Sequence, residues 1–201
     1  MNKNGIIYTV IFTFLVAFFF VFFLSLADGA TKELVQKNNL VSVQKSVLKA
    51  LDILPSDSGD IASTYEKLFE TVPQAGDRLK TVKEGTEVLI GYFSGSGLWG
   101  TITGIIAVDG ALDRIVGLDI ISHNETPGLG GRIDEEWFKE QFKGEKIGAD
   151  GIKVAKGSGS ADTDSNNSIV DGITGASLTS KSMETIVNKE LNLFRTERSS
   201  K

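Results

Sequence analysis

Positions 6–27 form an almost unbroken apolar run, rich in phenylalanine (Phe12, Phe14, Phe18, Phe19, Phe20, Phe22, Phe23) and relieved only by Tyr8, Thr9, Thr13 and Ser25. A helix of about 20 such residues crosses the hydrocarbon core of a bilayer. The run exceeds the roughly 7–15 residues of a cleaved signal core, which favours a retained anchor over a signal peptide cut at Ser25-Leu26-Ala27. Lys3 and the terminal amine precede it, so the short N-terminal tail is expected to stay in the cytoplasm and the remainder to face the extracytoplasmic side. Beyond the anchor, Leu34, Val35, Leu40, Val41, Val43, Val47, Leu48 and Leu51 recur at helical spacing and predict an amphipathic helix over 31–53. The segment 55–60 breaks it, and a shorter helical pattern over 62–71 ends before Pro73.

From residue 86 the pattern changes to short β-branched runs at 88–93, 101–108 and 115–121, separated by Gly-Ser-Gly at 95–97 and Asp109-Gly110. These predict three antiparallel strands, the last two joined by a hairpin at 109–113. A helix near 135–142, a Gly/Ser/Asp-rich surface loop over 155–168 and a helix over about 180–194 follow. The expected class is therefore α+β: a transmembrane anchor (1–28), a helical membrane-proximal segment (29–85), one domain with an antiparallel sheet and flanking helices (86–195), and a polar tail (196–201).

Composition narrows the chemistry. The 201 residues carry a net charge of −5 with interspersed signs, which gives no basic surface for nucleic acid. Cysteine is absent, which excludes disulfides, thiolate metal sites and a catalytic thiol on this chain. His123 is the sole histidine, so a His-rich metal site or a Ser-His-Asp triad has little to build on. A lone histidine reads first as a satisfied polar residue. Any redox role must rest on an organic cofactor.

Two loops stand out as candidate chemistry. In Asp171-Gly172-Ile173-Thr174-Gly175-Ala176-Ser177-Leu178-Thr179-Ser180, small residues precede a Ser hydroxyl that can form a phosphoester, just ahead of a helix whose amides suit phosphate oxygens. Taken alone, this run reads first as a polar turn capping a helix. In Glu125-Thr126-Pro127-Gly128-Leu129-Gly130, Pro fixes φ and the glycines allow main chain to lie against a flat ring, although a structural Gly/Pro turn has the same composition. Gly97-Leu98-Trp99-Gly100 adds an indole able to stack, or simply to pack.

Together these motifs resemble the FMN-binding domain family. The Asp171–Ser177 run is similar to its D-x-x-(S/T)-G-A-(S/T) sequence. Glu125–Gly130 is similar to its second signature, as found in flavin-carrying members of the sodium-translocating NADH:quinone reductase and of the Rnf electron-transport complex. The resemblance implies FMN joined through its phosphate to Ser177, where Thr is the commoner family residue. It implies cofactor contacts from Thr174, Gly175, Ala176, Leu178, Thr179, Glu125, Thr126, Leu129 and Trp99, and no catalytic or metal-binding residue. It further implies an electron-transfer subunit in the cytoplasmic membrane, partnered by other membrane subunits of an Rnf-type or quinone-reductase-type complex, by a flavin transferase and by membrane lipid. A free-standing anchored FMN carrier and a non-redox anchored binding module are the alternatives. A hydrolase has only Lys181 near Ser177 as a conceivable base.

Overall fold

Residues alternate across the central strands in a way that buries both faces of the sheet. In the strand Thr86–Ser96, Val88 and Ile90 point to one side and Phe93 to the other; in Thr101–Asp109, Ile105 and Ala107 oppose Ile102, Ile106 and Val108. One face packs with Val43, Val47, Leu48, Leu51, Ile61, Tyr65 and Phe69, and the other with Phe138, Phe142, Met183, Ile186, Val187, Leu191 and Phe194. Two covered faces explain why these strands read as continuous apolar runs instead of simple alternation.

The computed structural model describes residues 5–74, 76–156 and 161–199. In chain order the elements are α1 (Ile6–Ala50), α2 (Ile61–Glu66), β1 (Arg78–Lys83), β2 (Thr86–Ser96), β3 (Thr101–Asp109), β4 (Ile115–Ser122), α3 (Glu136–Glu140), β5 (Lys153–Ala155), β6 (Ile169–Asp171) and α4 (Ser177–Ser199). Strands β1-β2-β3-β4 form an antiparallel meander, and β5 pairs with β6 in parallel. The chain divides into two compact units, residues 1–40 and 41–201. In the first, α1 is long and apolar enough to cross a membrane, and every described residue except Gly5 and Tyr8 is exposed. In the second, the last turns of α1 enter the core, where Val47 and Leu48 are wholly buried.

The antiparallel sheet, the flanking helices and the β3–β4 hairpin agree with the sequence. In that hairpin the Asp109 carboxylate accepts the Asp113 amide at 2.7 Å. Several boundaries differ. The helix expected over 31–53, continuing from the anchor or docking near it, is continuous with it and ends at Ala50. The pattern at 62–71 yields only the short α2, and that at 135–142 only α3. Strand β1 was not foreshadowed: Arg-Leu-Lys-Thr-Val-Lys is a charged edge strand, paired only with β2 through the Glu84-Gly85 turn. The sheet thus begins at residue 78, ahead of the domain start expected at 86. Finally, α4 starts at Ser177 and continues through Ser199, so positions 196–199 are helical and not a tail. The expected 155–168 loop does connect β5 to β6, although its residues 157–160, like Lys3, lie outside the described residues.

Helix α4 lies close on β2 because two glycines admit it. A Cβ on Gly91 would sit 2.9 Å from the Phe194 ring, and one on Gly95 would run into the Ile186 side chain. This close seating fixes where α4 begins, and with it the position of Ser177.

Candidate functional site

Three surface segments converge on a single buried carboxylate. Glu125, only 4% exposed, accepts the backbone amides of Leu98 at 2.8 Å and Trp99 at 3.1 Å on Oε1, and the Thr179 hydroxyl at 2.6 Å on Oε2. The Gly97–Gly100 turn, the 125–131 loop and the first turn of α4 are thereby tied together. Glycine makes this possible at two places. A Cβ on Gly130 would lie 2.7 Å from Glu125 Oε2, and one on Gly97 would collide with Glu125 Oε1. The Glu125 amide in turn donates to His123 Nδ1 at 3.2 Å, which makes the sole histidine a satisfied loop residue.

Around this brace four apolar side chains face outward: Leu98, Trp99 (69% exposed), Leu129 and Leu178 (65% exposed). Leu129 reaches toward the Asp171–Ser177 motif, its Cδ2 lying 3.4 Å from where a Gly175 Cβ would stand. Gly175 itself has φ of +83°, a left-handed turn that glycine adopts without strain. The Ser180 amide bonds the Ala176 carbonyl at 3.0 Å, so the amides of Ser177, Leu178 and Thr179 precede the first helical hydrogen bond of α4. This helix start adjoins a cleft of about 280 Å³ lined by Val154, Ala155, Lys156, Gly172, Ile173, Thr174, Gly175, Ser177 and Ser180.

Of the residues that the sequence singled out, Trp99, Thr126, Leu129, Thr174, Gly175, Ser177 and Leu178 are exposed or open to this surface, and Ala176 is buried as the residue just before α4. Three expectations change. Glu125 points inward, with both oxygens engaged by the chain instead of being presented at the surface. Thr179 is 1% exposed and donates to Glu125. Ser180 accepts the Ile173 amide at 2.9 Å and donates to the Ala176 carbonyl at 3.0 Å. Both hydroxyls are engaged by the chain itself, because helical periodicity turns the third and fourth residues of α4 toward the core. Lys181 pairs with Glu184 on the next turn. The sequence did not reveal Val154, Ala155 and Lys156 as cleft residues; they arrive through the parallel β5–β6 pairing, for which no local motif exists.

Residues 97–192, which hold the exposed hydroxyl, the glycine turns and the apolar rim, match the family described as FMN-binding domain. This region of the chain resembles that family, as the two motifs implied.

The chain is 34% identical over 106 residues to NqrC of the Na(+)-translocating NADH-quinone reductase from Pseudomonas aeruginosa, covering 51% of this chain and 41% of that protein. It is 35% identical over 109 residues to the protein of the same name from Vibrio anguillarum, covering 51% and 42%. The aligned stretch thus spans about two-fifths of the length of these relatives. Among solved structures, the protein of that name from Parabacteroides distasonis superposes with a TM-score of 0.64 at 25% identity, covering 78% of this chain and 92% of that one. Shewanella oneidensis NqrC shares the fold at a TM-score of 0.63 and 17% identity, over 80% and 99%.

The residues present suit FMN. Gly128 and Gly175 put no side chain into the rim, the exposed leucines and indole suit a flat apolar ring, and the first-turn amides of α4 suit an anionic phosphate.

Proposed function

We propose that this protein is a membrane-anchored electron-transfer subunit that carries FMN as a phosphoester on Ser177, in a complex of the sodium-translocating NADH:quinone reductase type. The observation that carries the reading is the exposed Ser177 hydroxyl at the first position of α4, beside amides that precede the helical bonding and next to the Gly175 turn that Leu129 approaches. Bound FMN supplies the electron transfer, and the chain supplies attachment and orientation. In this reading Ser177 holds the cofactor covalently, the first-turn amides of α4 and Lys156 meet the phosphate charge, and Thr174 and Thr126 offer hydroxyls at the rim. Leu98, Trp99, Leu129 and Leu178 cover ring faces and exclude water. The relatives matched by sequence favour the quinone-reductase type over the Rnf type.

In this reading α1 anchors the protein in the cytoplasmic membrane and residues 41–201 lie on the extracytoplasmic side, where a covalent bond keeps a cofactor that diffusion would lose. Its partners are the other membrane subunits of the complex, the surrounding lipid and a separate flavin transferase that installs the cofactor.

Coexpression with a flavin transferase in a secreting bacterial host tests the reading. The expected result is a fluorescent band on a denaturing gel and a peptide bearing FMN minus water at Ser177. Ser177→Ala should abolish both and leave stability within about 0.5 kcal/mol of wild type, as for an exposed hydroxyl. Denaturation-resistant flavin persisting in that variant would overturn the assignment.

A further inference from the structure

Glu125 is a buried carboxylate with no cation to balance it: no Lys, Arg or His of the described residues forms an ion pair with it, and its three partners are two amides and a hydroxyl. Three donors aimed at two oxygens is the pattern an ionised carboxylate takes. It bonds the Trp99 amide on one side and the third residue of α4 on the other, so the charge sits directly under the exposed rim. We infer that Glu125 is a positioning residue that locks the Leu98-Trp99 turn onto α4 and whose fixed negative charge would lower the reduction potential of a flavin held at this rim.

The inference rests on the proposed FMN attachment for its second half only. A negative charge held in a low-dielectric site opposes the arrival of electrons on a neighbouring group, so the carboxylate lowers the flavin potential, and its neutralisation raises it. Gln is the isosteric neutral replacement. Its carbonyl accepts the Leu98 and Trp99 amides as before, and its NH2 donates to a Thr179 hydroxyl that turns to accept. Glu125→Gln therefore removes charge and keeps the lock, whereas Glu125→Ala removes both.

The lock is read first, in the full-length chain carrying Ser177→Ala so that no flavin intervenes. Amide hydrogen exchange at Leu98 and Trp99, two exposed residues, should be slow because their N–H groups are held by Glu125. Adding Glu125→Ala should speed it by about tenfold or more, the loss of roughly one charge-assisted hydrogen bond. Unchanged exchange would overturn the lock. The charge is read in the flavinylated protein by spectroelectrochemical titration: Glu125→Gln should shift the midpoint to a more positive value with stoichiometric flavin retained, and an unchanged midpoint would overturn the potential-setting role. Should Glu125→Gln fail to fold, Thr179→Val gives the second measurement. It withdraws the hydroxyl that partly neutralises the carboxylate, and a shift to more negative potential is expected; a positive shift or none would count against the role. A wild-type chain that takes no flavin would overturn the proposed function and the potential-setting role with it, while the exchange experiment still judges the lock.

Discussion

At the scale of single residues, the site depends on side chains that are missing as much as on those present. Gly97 and Gly130 leave the space that the Glu125 carboxylate and Thr179 hydroxyl occupy. Gly130→Ala should therefore cost about 1–3 kcal/mol through overpacking. Chemical denaturation of the variant checks this, and a midpoint equal to wild type would show that the loop yields freely. The Ser177 hydroxyl and the glycine turns were legible as motifs because their chemistry is local. The inward turn of Glu125, Thr179 and Ser180 was not, since a carboxylate or hydroxyl reads alike from the sequence whether it meets a ligand or the chain's own amides. Only the seating of α4 against β2 at Gly91 and Gly95 decides which.

Among the elements, α3 contributes a cation buried under the sheet edge. Lys139 Nζ lies 2.9 Å from Asp119 Oδ1 on β4, 3.1 Å from Glu136 and 3.4 Å from Asp134. Burial pulls the Lys139 ammonium down, but the hydrogen bond and charge of Asp119, aided by Glu136 and Asp134, outweigh it and hold the group above the ordinary lysine value. A raised value in the folded state means that the stabilisation is full below the unfolded lysine pKa, about 10.4, and is lost as pH climbs through the folded value. Lys139→Met should lower stability by about 3 kcal/mol at pH 7, because Asp119 is left buried with only Lys49 at 3.7 Å. The gap between variant and wild type, followed by urea unfolding, should narrow above about pH 10.5; a gap independent of pH would mean that lost packing alone is responsible. Strand β1 shows why element prediction fell short here. Its charged alternation has no strand signature strong enough to stand alone, and the pairing with β2 supplies what the sequence lacks.

At the scale of the molecule, the apolar anchor was the most legible feature, because length and composition alone define it. The division at residues 40 and 41 was less so, since α1 does not stop where its environment changes. Its last turns, with Leu51 just beyond them, bring Val43, Val47, Leu48 and Leu51 to the sheet face formed by Val88, Ile90, Ile105 and Ala107. A fragment of residues 41–201 should fold as a soluble unit with a cooperative thermal transition by circular dichroism. A fragment of residues 52–201 should melt much earlier or not cooperatively, because it loses the buried core side chains of Val43, Val47, Leu48, Ala50 and Leu51. Equal transitions for the two would show that the helical end is dispensable.

This shared helix has a consequence for how the chain is made. The segment 43–51 leaves the ribosome directly behind the anchor, yet the strands it must cover are synthesised only later, so its apolar side chains wait without their partners. Coverage of these side chains thus waits for the completion of β3. A chain halted before that point offers quality-control proteases an exposed apolar helix in place of a finished core.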